Sequence, residues 1–148
     1  MKRRLVVLLL FALALTPAPR PVIAAEGENY VVVVNASNNI SEISQDLLSR
    51  IFLRKVRAWH GGRATAPVDH SLAAPIRVVF SRKALGFSIN DVRDYWMKQT
   101  LSGGDVAPPI RSSERDVLEF VKSEPGGIGY VSADSTLPTE VKAVKVTQ

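Results

Sequence analysis

The sequence predicts an α/β layered domain with a mixed sheet flanked by helices. Three observations predict it. Tyr30-Val31-Val32-Val33-Val34 is an unbroken β-branched run of the kind found in strands buried on both faces. Short strand-like runs then alternate with capped amphipathic segments, the order expected of helices packed on a sheet. Finally, residues 113–131 read as one unit in which a capped helix meets Pro-Gly-Gly and then a short buried strand.

Taken in order, Asn35-Ala36-Ser37-Asn38-Asn39 closes the first strand with residues that favour turns. Ser44 starts a helix whose Leu47, Leu48, Ile51 and Phe52 share a face. A basic loop holding Trp59 runs to Gly61-Gly62, and 65–69 is a brief strand kept near an edge by Pro67. Pro75 suits the first turn of a second helix, whose buried side is predicted at Ile76, Val79, Phe80 and Lys83 or Ala84 and which ends at Gly86. Ser88 caps a third helix that tracks Ile89, Val92 and Trp96 and stops at Ser102-Gly103-Gly104. Residues 108–112 form a short extended piece. Ser113, with Asp116 three residues on, caps the fourth helix, whose Val117, Phe120 and Val121 form one apolar face. Gly126 and Gly127 are expected to supply backbone freedom for the reversal into Ile128-Gly129-Tyr130-Val131. A last, half-exposed strand alternates Val141, Val144 and Val146 with lysines.

Composition narrows the function classes. Met1-Lys2-Arg3-Arg4, the apolar run Leu5–Leu15 and the small-residue site around Ala24 predict a signal peptide over residues 1–24, leaving a domain over 25–148 exported to the periplasm. The run is too short for a membrane anchor, so the mature protein is expected not to be membrane-embedded. Removing the leader turns a formal charge of +5 into 15 basic residues against 14 acidic, and no basic cluster with interleaved aromatics remains for nucleic acid. The chain has no cysteine, which leaves stability to the core. No nucleophile triad, phosphate loop or metal spacing is present, and no cofactor is expected. Gly126-Gly127-Ile128-Gly129 follows a helix, the reverse of a dinucleotide fingerprint.

Several stretches resemble one family. Ile51-Phe52-Leu53-Arg54-Lys55-Val56-Arg57-Ala58-Trp59-His60-Gly61-Gly62 resembles the Ile-Phe-Leu-Gly-x-x-x-x-Trp-x-x-Gly segment of the phosphate-binding proteins of ABC importers. Pro125 to Val131 is similar to their Pro-Gly-x-Ile-Gly-Tyr-Val segment, and Phe80 to Leu85 to their Phe-x-x-x-Leu helix. Tyr95-Trp96 and Ser102-Gly103-Gly104 through Pro108-Pro109 resemble small, single-lobe members. The resemblance implies a single lobe of a type II periplasmic binding protein, with a mixed, mainly parallel sheet. It also implies a small oxyanion ligand, phosphate, and as partners an ABC permease, a sensor or a second lobe that completes the cleft. The alternative is a non-catalytic interaction module that has lost its ligand.

The candidate ligand residues are Asn35, Ser37, His70, Ser71 and Arg77. Asn35 and Ser37 follow the first strand, where open α/β sheets place ligands, but the same residues suit a self-satisfied Asx turn. Aligned on Phe80, His70 falls near the family's Arg and Ser71 is kept. Ala74-Pro75-Ile76-Arg77 replaces the family's Ser-Gly-Thr-Thr, so hydroxyl donors are lost and Pro75 deletes a backbone donor. Arg77 is either a bidentate partner for an oxyanion or a solvated helix residue.

Overall fold

The computed structural model describes residues 30–148; the leader expected over 1–24 lies outside the described residues. The strands are β1 (Tyr30–Asn35), β2 (Glu42–Ser44), β3 (Ala66–Pro67), β4 (Asp69–His70), β5 (Ile110–Arg111), β6 (Gly127–Ser132) and β7 (Val141–Thr147). The helices are α1 (Gln45–Phe52), α2 (Pro75–Phe80), α3 (Ile89–Leu101) and α4 (Glu114–Ser123). The main sheet has the order β2-β7-β1-β6-β3, and β4 and β5 form a separate parallel pair. β1 runs antiparallel to both its neighbours, whereas β2 is parallel to β7 and β3 to β6. Four strands therefore point one way and β1 alone points the other, which makes the sheet mixed and mainly parallel.

The valine run explains why β1 is central. Val32 and Val34 face the larger core with Phe52, Phe80, Ile128 and Tyr130, while Val33 faces a smaller one with Val68, Val117, Val121 and Val131. Burial of such a side chain contributes about 1.5–3 kcal/mol, and only a central position gains this on both faces. α1, α2 and α3 contribute to the first core, and α4 covers the other face.

Capping follows the sequence closely. The side chains of Ser44, Ser88 and Ser113 accept from Leu47 N, Asp91 N and Asp116 N. α2 continues through a π-helical turn, Ser81–Leu85, that ends at left-handed Gly86. Its buried side is Ile76, Arg77 and Phe80; Val79 is only partly buried.

The glycines of the Pro-Gly-Gly-Ile-Gly stretch serve close approach, and the backbone-freedom expectation is corrected there. Neither Gly126 nor Gly127 has a positive φ. A Cβ on Gly126 would fall within 1.9 Å of the Ala64 carbonyl oxygen, and one on Gly129 within 2.9 Å of Val117 on α4. Small residues here let α4 and the Trp59 loop seat directly on β6.

Candidate functional site

The reversed direction of β1 divides the five sequence-predicted residues. Asn35 lies opposite Val141, at the start of β7, and Val34 lies opposite Ile128, near the start of β6. His70 bonds Tyr130 near the other end of β6, and Ser71 follows it. Asn35 and Ser37 therefore sit at one end of the sheet, and His70, Ser71 and Arg77 at the other.

At the first end the Asn35 side chain is fully committed. Its amide donates to the carbonyls of Val121 (3.0 Å) and Lys122 (2.9 Å), and its oxygen accepts from Ser37 N at 2.9 Å. It closes an Asx turn and ties the last carbonyls of α4 to β1. Ser37 is exposed; its Oγ accepts from Arg63 at 3.1 Å, and the same guanidinium nitrogen donates to the Pro125 carbonyl at 3.2 Å. Ser37 and Arg63, but not Asn35, border a cleft of about 420 Å³, walled also by Asn38, Trp59 and His60. The Trp59 indole donates to the Gly126 carbonyl at 3.0 Å, so its ring is fixed as structure.

At the second end a buried polar cluster forms that sequence reasoning saw only in part. Asp69 and Arg77 are 3% and 4% exposed and make an ion pair. The Tyr130 hydroxyl donates to Asp69 Oδ1, and the same oxygen accepts from His70 N at 2.9 Å. His70 Nε2 lies 2.8 Å from the Tyr130 carbonyl, which can only accept, so Nε2 carries the proton. The Tyr130 ring stacks on Phe80 with centroids 3.8 Å apart. Burial pushes the Arg77 guanidinium below its ordinary range, opposed by Tyr130, and burial pushes the Tyr130 hydroxyl well up. Arg77 is thus not a solvated helix residue; its charge is met inside the fold by Asp69. Asp69 and Tyr130 were missed, and the available signal was an Asp set between Val68 and His70 in a short strand run.

Around this cluster, donors for an external anion are few. Ser71 is exposed, and its Oγ accepts from Ala73 N at 3.4 Å. Pro75 has no N–H, and the amides of Arg77 and Val78 both go to the Ala74 carbonyl. Nearby, Glu114 at the start of α4 supplies an internal anion. Its carboxylate accepts from Ser132 N at 3.1 Å, from Ser132 Oγ and from Ser135 Oγ. Burial pushes the Glu114 carboxyl up, but the bonds from Ser132 and Ser135 outweigh it and hold the group below the usual carboxylate range. Among the described residues, no group of three His, Cys, Asp or Glu could hold a metal ion, and no helix is long and apolar enough to cross a membrane.

No protein-family model matches the sequence, and no curated protein matches it. Solved structures do match in fold. An ABC-type phosphate transport receptor from Vibrio cholerae superposes with a TM-score of 0.59 at 17% identity, over 80% of this chain and 46% of that one. A Clostridium perfringens protein solved with bound phosphate gives 0.62 at 17% identity, over 80% and 44%. PstS from Borrelia burgdorferi gives 0.61 at 11% identity, over 80% and 47%. The chain thus spans less than half the length of these structures. Its described residues have the fold of a single lobe of a PstS-like periplasmic binding protein.

Proposed function

We propose that this chain is an exported, non-enzymatic solute-binding lobe that takes a small oxyanion, phosphate by likeness, and works with an ABC permease, a sensor or a second lobe. The observation that carries the reading is the match of 80% of the chain to lobes of phosphate receptors. The ligand edge would lie at the carboxyl ends of β4 and β6, where open α/β sheets receive ligands. There the exposed Ser71 hydroxyl and the entry to α2 face solvent, backed by His70 and Arg77. The basic and apolar leader pattern supports periplasmic export.

Thermal unfolding of the protein in phosphate, sulfate and small carboxylates tests the binding. A ligand present at a hundredfold excess over its Kd stabilises the folded state by about 2.7 kcal/mol, a shift of several degrees. A phosphate shift lost in Ser71→Ala but kept in Arg63→Ala supports the edge beside α2; the opposite pattern moves the ligand to the Ser37 cleft. No shift at millimolar phosphate sinks the reading.

The internal pairing of Arg77 with Asp69 favours one second reading, an interaction module that no longer binds a solute. One dominant cross-linked protein in periplasmic extract, together with anion-insensitive unfolding, would support it.

A further inference from the structure

The cleft beside Ser37 lies at the end of the sheet away from Ser71 and the entry to α2. Its volume of about 420 Å³ falls in the range of small-molecule sites and exceeds what an inorganic oxyanion fills. Two turns build its walls. In the first, Trp59 N donates to the Arg63 carbonyl at 2.7 Å and Gly62 N to the Trp59 carbonyl at 2.9 Å. Gly61 and Gly62, both at positive φ, permit this reversal, which brings His60 and Arg63 to the cleft. The second turn follows β1, where Asn38 Oδ1 accepts from Ile40 N at 3.3 Å.

Three observations define what the cleft takes. Asn38 is only 6% exposed, yet its Nδ2 has no hydrogen-bond partner among the described residues. A buried donor left unpaired is costly, and Asn38 lines the cleft, where a ligand acceptor would satisfy it. Arg63 is exposed and spends one nitrogen on the protein: Nη1 donates to the Ser37 carbonyl, to Ser37 Oγ and to the Pro125 carbonyl. Its Nε and Nη2 donate to nothing among the described residues, and together they form the two-pronged edge that matches a carboxylate. No Asp or Glu lines the cleft, so this permanent positive charge is unanswered there. One such charge matches one negative charge, which selects a monocarboxylate over a doubly charged phosphate ester. Finally, the exposed Ser37, Asn39 and His60 line the cleft with hydroxyl, amide and imidazole groups. Such a wall suits a hydroxylated body better than a hydrocarbon.

We propose that the Ser37–Arg63 cleft is a second binding site, for a small hydroxylated monocarboxylate of the sugar-acid class. The carboxylate pairs with the free edge of Arg63, and a ligand oxygen accepts from Asn38 Nδ2. The site stands apart from the edge beside α2 and does not depend on phosphate binding there.

NMR titration of the protein as cells produce it tests the proposal, with galacturonate and gluconate as probes and galactose, benzoate and inorganic phosphate as controls. Both sugar acids should shift the Asn38 side-chain amide saturably at millimolar concentration, and the three controls should not. The backbone amides of His60 and Gly61 report the affinity in every variant. Asn38→Asp keeps the turn oxygen but replaces the donor with a negative charge, and Arg63→Lys keeps the charge but loses the fork. Each should weaken binding at least about tenfold, a cost of about 1.4 kcal/mol or more. Unchanged melting of the variants shows that the fold is intact. No response to either sugar acid, or a response that survives both substitutions, overturns the site. Equal binding of galactose or benzoate, or the same Asn38 shift with phosphate, overturns the ligand class. The reading at the α2 edge is judged separately: Ser71→Ala should leave the sugar-acid titration unchanged while abolishing any phosphate response.

Discussion

Arg77 decides how the interior of the second sheet end is held. Helical spacing selects Ile76, Val79 and Phe80 for burial, yet the structure buries Arg77 in place of most of Val79. The reason lies off the helix, in Asp69 on β4 and the Tyr130 hydroxyl on β6. Periodicity reports which face turns inward and cannot see a carboxylate waiting there. A buried ion pair is costly to break because the remaining charge has no compensation. Arg77→Ala or Asp69→Ala should each lose roughly 3–5 kcal/mol, while the double change Asp69→Leu with Arg77→Met should lose much less. Urea denaturation of the three variants checks this; equal losses for single and double changes would mean that packing, not charge, holds the cluster.

At the scale of elements, most of the fold was legible. The capping serines and the terminating glycines at 86 and 103 fix where helices start and stop. The π-helical turn and the short β2 were not, because neither leaves a period long enough to read. Glu114 was also silent, since an acidic residue in a first helical turn ordinarily needs only the helix dipole to explain it. In the structure it holds Ser132 and Ser135, and so fastens the loop after β6 to α4. Its carboxyl is depressed in the fold despite burial. The stabilisation is therefore fully present above the unfolded value of about 4.5 and is lost as pH falls through the lower folded value. Denaturant midpoints between neutral and acid pH should show Glu114→Gln less stable than the parent at pH 7, with the gap closing toward low pH. Asp91, held down mainly by Ser88, and Glu140 also add acid sensitivity, so the diagnostic is the difference between the two curves. Parallel curves would remove Glu114 from the account.

For the whole molecule, the direction of β1 was the missing fact. A valine run buried on both faces identifies a central strand but says nothing about which way it runs, and direction decides which loops share an end of the sheet. That is why residues the sequence groups together, Asn35 and Ser37 with His70, Ser71 and Arg77, stand at opposite ends of the sheet. The same topology makes the last strand indispensable. β7 pairs β1 on one side and β2 on the other, joining the two ends of the described chain through Val32↔Val144 and Ile43↔Val146. Without it β1 would expose a long apolar edge and β2 would have no partner, a template for edge-to-edge association. Ending the chain after Pro138 should therefore abolish cooperative unfolding and give aggregates that bind a hydrophobic dye, whereas removing only Gln148 should change little. Contacts so distant in sequence also form late, because loop closure must come before they stabilise anything. Refolding of Val144→Ala should accordingly differ from the parent mainly by faster unfolding, with a nearly unchanged folding rate; stopped-flow fluorescence of Trp59 and Trp96 measures both limbs, and a loss confined to the folding limb would place β7 in the nucleus.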